Sequence, residues 1–110
     1  MFAKGTRYES KPFLRLLELY VLWCIDGLTD TDERTLIDLT PKLQKTYGRH
    51  GRWYEIVEEE MAFPMSIRVD IECSWVKNRQ IAFDAGQDLR PEQFAELFVD
   101  ANFFKSDDDS

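Results

Sequence analysis

The sequence predicts an all-α fold, a compact antiparallel bundle of about five helices forming one domain over residues 1–110. Three observations carry that prediction. Apolar residues recur at spacings of three and four in each long segment. Cap residues and glycine stops bracket those segments. No stretch sustains the period-two alternation of a strand, although Ile67–Cys73 taken alone could pass for a short one. A length of 110 residues suits one domain and leaves no room for two. The short connections imply neighbours that run near-antiparallel.

Met1–Glu9 reads as a loose start, and Ser10 as the cap of a first helix whose early Pro12 lacks only an N–H that the first turn leaves unpaired. Phe13, Leu14, Leu16, Leu17, Tyr20, Val21, Cys24 and Ile25 give that helix a broad apolar face, suited to the centre of a bundle. Gly27 is expected to supply the left-handed residue that ends it. Thr29 or Thr31 opens the second helix, with Asp30, Asp32 and Glu33 where the helix dipole favours negative charge. Its stripe is Leu36, Leu39, Leu43 and Tyr47. Pro41 is expected either to kink it or, the preferred reading, to divide it, with Thr40 capping a short new helix that Gly48 closes.

Trp53, Ile56, Val57 and Met61 define a shorter helix, stopped at Phe63-Pro64. Ser66 is the expected cap of a long helix reaching about Ala85. Its stripe is Ile67, Ile71, Trp75, Asn78 and Ala82, with Val69, Cys73, Val76 and Phe83 widening the face and Gly86 ending it. The last helix starts near Pro91, with Phe94, Leu97, Phe98 and Ala101 inward. Lys105–Ser110 reads as a frayed acidic tail.

Composition narrows the function. An apolar fraction of 44% with 14% aromatics can offset the entropy of folding, so the chain is not globally disordered. Cys24 and Cys73 form no CxxC pair and read as small core hydrophobes in a reduced compartment. Met1–Ser10 lacks the apolar core of a signal peptide, and Phe13–Ile25, interrupted by Arg15 and Glu18, is too short to cross a bilayer. A cytoplasmic location without membrane association follows. The single His50, set between Gly48 and Gly51, lacks the companions that a metal or a catalytic imidazole needs.

Glu55 with Glu59, and Asp30 with Glu33, are the nearest approach to an acid–base pair. Nothing marks them as buried, and burial is what raises a carboxylate to a useful pKa. No phosphate-binding, dinucleotide, hydrolase or EF-hand motif is present, so neither catalysis nor a cofactor or metal is expected.

Charge is the most informative remaining feature. With 14 basic residues against 21 acidic the net charge is −7, which repels phosphate backbones and argues against direct nucleic-acid binding. Pro41–Arg52 holds Lys42, Lys45, Arg49, Arg52 and His50 with no acid, and Glu55–Glu60 follows with four glutamates. The two segments either pair with each other or form a dipolar surface for a partner. Asn78 is expected to bond within the fold or to reach a ligand from a groove. Trp23, Trp53 and Trp75 are expected in the core, any exposed one being a candidate anchor.

The run from Pro12 to Trp23, the pair Thr40-Pro41, the Tyr47-Gly48 stop and the ending Pro91-Glu92-Gln93-Phe94-Ala95 resemble small acidic helical proteins of bacteria. Some of these are immunity proteins, which neutralise the toxin domains of interbacterial weapons. The resemblance implies an inhibitor that binds a toxin domain, a basic nuclease being the natural target of an acidic face. The residues placed for that contact are Asp30, Asp32, Glu33, Glu55, Glu58 and Glu59. The alternative is a self-associating structural or regulatory module, a homodimer paired through the aromatic C-terminal segment of Phe94, Phe98, Phe103 and Phe104. A small-ligand pocket at Trp75 and Asn78 is a third reading.

Overall fold

The most apolar segment of the chain becomes its centre. The computed structural model describes residues 11–104, with side chains from 13 to 102; the loose start, the Ser10 cap and the acidic tail lie outside the described residues. Five α-helices follow one another: α1 (Lys11–Cys24), α2 (Asp30–Tyr47), α3 (Trp53–Glu60), α4 (Ile67–Asp84) and α5 (Pro91–Val99), the last continuing into a π-helical turn over Asp100–Phe104. The fold is all-α, as the periodicity predicts, and Ile67–Cys73 is helical.

In α1, Phe13, Leu16, Leu17, Leu19, Tyr20, Val21 and Leu22 are all buried. Burial extends beyond the predicted face to Leu19 and Leu22 because α1 is covered by α5, α3 and α4. A helix whose apolar face is this broad, with only the Arg15–Glu18 side left to solvent, sits at the centre of the packing.

The turn after α1 differs from expectation. Asp26, not Gly27, takes the left-handed conformation, with φ 59°, while the Gly27 N–H donates to Leu22 O at 2.7 Å. Glycine suits position 27 for a different reason. A Cβ there would lie 3.0 Å from Pro91 Cβ and 3.2 Å from Leu22 Cδ2, a tight fit that the close approach of α5 creates.

α2 opens with a reciprocal cap. Thr29 Oγ1 accepts from Asp32 N at 3.1 Å, and Asp32 Oδ2 accepts from Thr29 N at 3.3 Å. The helix then runs unbroken through Pro41, contrary to the division expected there. Leu36 and Leu43 are buried on either side of the proline and hold both halves against the core. Pro41 itself is exposed, and the Thr40 hydroxyl donates to Leu36 O at 2.7 Å. Packing outweighs the missing hydrogen bond, whose loss with the ring clash costs about 3 kcal/mol. Gly48, at φ 65°, closes α2 with its N–H on Gln44 O.

α2 packs on α3, where Ile56 and Val57 are buried. α3 stops just before the expected Phe63-Pro64 boundary, at a left-handed Ala62 with φ 54°, and the Phe63 N–H returns to Glu58 O at 3.0 Å.

α4 departs most from its sequence reading. Ser66 stands at the cap position, but its hydroxyl donates to Asp70 at 3.2 Å instead of capping. Only Ile67 and Ile71 are buried; Trp75 and Ala82 are half-buried, and Asn78 is exposed. Val69, Cys73, Val76 and Phe83 do not widen the core face but stand in solvent.

α5 also turns its face slightly. Ala95 and Val99 are buried with Phe94, while the expected inward Leu97 is exposed. The strongest helix–helix packing of the fold, α1 against α5, selects that face.

Candidate functional site

Aromatic residues from α1 and α3 meet at one end of the core. Trp23 stacks on Tyr54 with ring centroids 4.3 Å apart, Trp53 meets Trp23 at 5.5 Å, and Phe63 lies 5.3 Å from Tyr20. Over this cluster α4 places Arg68, whose guanidinium is 4.7 Å from the Trp23 ring and 5.3 Å from Tyr54. Glu58 completes the network: its Oε2 accepts from Tyr20 OH at 2.6 Å and from Arg68 Nε at 2.7 Å. Burial, then the bond to Glu58, raises the Tyr20 phenol well above its ordinary value. Arg68, through its own bond to Glu58, is raised as well.

These shifts stabilise ordinary protonation states, so the network ties α1, α3 and α4 together without preparing an acid or a base. Trp23 and Trp53 are half-buried within it.

Cys24 lies beside this cluster, and burial pushes its thiol up to about 12. A thiol so protonated is a poor nucleophile. At pH 8 the folded protein should therefore present no rapidly reacting Cys24 to a chromogenic disulfide reagent, and Cys24→Ala should leave the fast phase unchanged. A smaller fast phase in that variant would contradict the burial.

The six acids expected to meet a partner fall in two groups. At the start of α2, Asp32 serves the cap and also accepts from Arg15 at 3.4 Å, whereas Asp30 and Glu33 are exposed. On α3, Glu55 accepts from Arg52 N at 2.8 Å, Glu58 holds the aromatic network, and Glu59 pairs with Arg49 at 2.6 Å. Arg49 also reaches Glu60 at 2.8 Å, and that bond raises its pKa. The basic segment and the acidic helix therefore meet through Arg49. Four of the six acids already serve the fold. His50 is an exposed loop residue.

A groove runs between the later half of α4 and α5. The face that α4 buries at Ile67 and Ile71 continues into Ser74, Asn78, Ala82 and Ala85, and opposite them stand Phe94, Leu97, Phe98 and Ala101. The groove has a volume of about 370 Å³. Trp75 meets Phe94 at its inner side with ring centroids 5.3 Å apart. Leu97, at 62% exposure, forms its outer wall with Ile81.

Asn78 Nδ2 donates to Ser74 O at 2.7 Å, and Asn102 Nδ2 to Phe98 O at 2.8 Å. Each amide thus bonds its own helix and leaves its Oδ1 available to a donor in the groove. The chain from Gln80 to Phe104, which supplies most of the groove, carries Asp84, Asp88, Glu92, Glu96 and Asp100 against Arg90 alone, although none of these acids is among the residues that line its main cavity. Asp88 lines the loop end of the slot beside Leu89 and Leu97.

Leu97, Ile81 and Asn102 were not singled out as binding residues by the sequence reading. The signal that could have found them is the row of acids spaced by four from Asp84 to Asp100.

Among the described residues no three His, Cys, Asp or Glu side chains come together to hold a metal ion, and no helix is long and apolar enough to cross a membrane. No family model, curated protein or solved structure matches the chain.

Proposed function

We propose that this protein works by binding another protein, as an immunity-type inhibitor that captures a basic toxin domain. The observation that supports this reading is the α4–α5 groove, an apolar slot with free acceptor oxygens on its walls and Asp88 at its loop end. An occupant suited to it is an amphipathic segment, with apolar side chains against Leu97 and Phe98 and a flanking Lys or Arg towards Asp88. Apolar anchors supply most of the affinity in such contacts, and charge speeds and orients the encounter. The net charge of −7 works in the same direction.

This assignment moves the contact away from the acids first expected to carry it. Glu55, Glu58, Glu59 and Asp32 have partners within the fold, so reversing them would damage the protein as well as any interface. Asp30 and Glu33 are exposed and can be reversed without that cost.

The test is affinity capture from an extract of the source cells with three baits: the wild type, Leu97→Asp, and Asp30→Lys with Glu33→Lys. A basic protein should be retained by the first and third baits and released by salt. Leu97→Asp should weaken its binding more than tenfold, as loss of a central anchor does. The purified captured protein should lose its toxic activity on adding one equivalent of wild type. Retention independent of Leu97, or an acidic captured protein, would overturn the reading.

A further inference from the structure

α4 carries a second apolar line, on the side turned away from the groove. Val69, Val76 and Phe83 stand seven residues apart, with Cys73 and Gln80 interleaved. That is the spacing of a coiled-coil seam. Every member is exposed, Val76 at 66% and Phe83 at 75%. Ile71, Asn78 and Ala85 fall on the opposite side of the helix, towards the core and the groove. The seam is therefore a face of α4 that nothing in the described fold covers, along a helix of 18 residues, about 27 Å long.

We infer that this seam pairs with the same seam of a second copy, the two α4 helices running antiparallel about a two-fold axis. The occupant is identified by charge. Asp70 and Lys77 flank one side of the seam, and Glu72 and Arg79 the other. None of these four side chains joins an ion pair among the described residues.

Laid antiparallel with Cys73 against Val76 of the second copy, Val69 meets Gln80, and Phe83 falls opposite Ser66 at the end of the contact. In the same register Asp70 meets Lys77 and Glu72 meets Arg79, each pair occurring twice by symmetry. A self-complementary pattern of this kind is what an isologous contact requires. Although the whole chain is strongly negative, α4 balances Arg68, Lys77 and Arg79 against Asp70, Glu72 and Asp84, so two copies meet there without net repulsion.

A parallel pair would match Glu72 with Lys77 and Arg79 with Asp84. It would leave Asp70 unmatched and draw Asp84 from its bond with Gln80 at 3.0 Å, where the antiparallel register leaves Asp84 unmatched and draws Asp70 from its bond with Ser66 at 3.2 Å. The two directions are told apart by Cys73, which faces its own copy only in the parallel pair.

Dimerisation in this way leaves the groove open on each copy. It rests on a separate face from the proposed partner contact, so either can fail alone.

The experiment compares two variants by sedimentation equilibrium. Asp70→Lys with Glu72→Lys makes both flanks basic, and Lys77→Glu with Arg79→Glu makes both acidic. All four side chains are exposed, and circular dichroism checks that each variant keeps its helices. The wild type should dimerise by about 100 µM. Each variant alone should bind itself at least tenfold more weakly, and an equimolar mixture should recover a heterodimer.

Cys73 reports the direction. In the antiparallel register the two copies of Cys73 are offset by about 4.5 Å along the axis, which disfavours a direct disulfide. Oxidation should yield little Cys73–Cys73 product. A monomeric wild type at that concentration, variants that dimerise as well as the wild type, a mixture without heterodimer, or efficient Cys73–Cys73 disulfide formation would each overturn the proposal.

Discussion

Ile71→Ala is expected to lower the unfolding free energy by about 2–5 kcal/mol, the range for truncating a fully buried aliphatic side chain. Ile71 is completely excluded from solvent. With Ile67 it is one of only two buried side chains on α4. Removing three carbons therefore opens a cavity where α4 joins the body and weakens its hold. Ile81→Ala, the same change ten residues further along, removes a side chain that is 56% exposed and should stay within about 0.5 kcal/mol. Urea denaturation of both variants measures the contrast. Equal losses would mean that the outer half of α4 packs as tightly as the inner half.

Glu58→Ala is expected to cost about 1–3 kcal/mol, because it strands the buried Tyr20 hydroxyl and removes the carboxylate under Arg68. Tyr20→Phe should cost less, since it withdraws the donor and leaves Glu58 with Arg68. Adding Glu58→Ala to Tyr20→Phe should then cost less than Glu58→Ala does in the wild type. Chemical denaturation of the four proteins gives the coupling directly. Additive costs would show that the 2.6 Å bond between Tyr20 and Glu58 contributes nothing to stability.

These two predictions show which parts of the fold were legible in the sequence. The periodicity gave the number and order of the helices, and α1 was readable as central because its apolar face is so broad. The reciprocal cap at Thr29 and the stop at Gly48 are local devices, written in adjacent residues. What could not be read depends on what each helix meets. Pro41 continues a helix because Leu36 and Leu43 are packed on both sides of it. Gly27 fits beside Pro91, distant in sequence. The apolar residues of α4 all looked like core, since a helix wheel does not reveal that its neighbours cover only the first turns.

The candidate site follows the same pattern. Glu55, Glu58 and Glu59 stood out as a charge cluster, yet their partners Arg52, Arg68 and Arg49 come from neighbouring elements and convert them into fold contacts. The groove was partly visible, as the pairing of Trp75 with Asn78, but its far wall is supplied by α5. Only the row from Asp84 to Asp100 and the seven-residue spacing of Val69, Val76 and Phe83 were there to be read. Each was hidden by a simpler use of the same residues as helix surface or core.

The anchoring of α4 at Ile67 and Ile71 also has a mechanical meaning. From Ile71 to Asp84 the helix projects about 20 Å, a lever fixed at one end. A pivot of about 10° at its base displaces its tip by roughly 3.5 Å, more than half a helical turn. Few buried contacts resist such a swing, and segments with few buried contacts have low local stability. The groove and the seam are opposite sides of this one rod. A change in its angle moves both faces together.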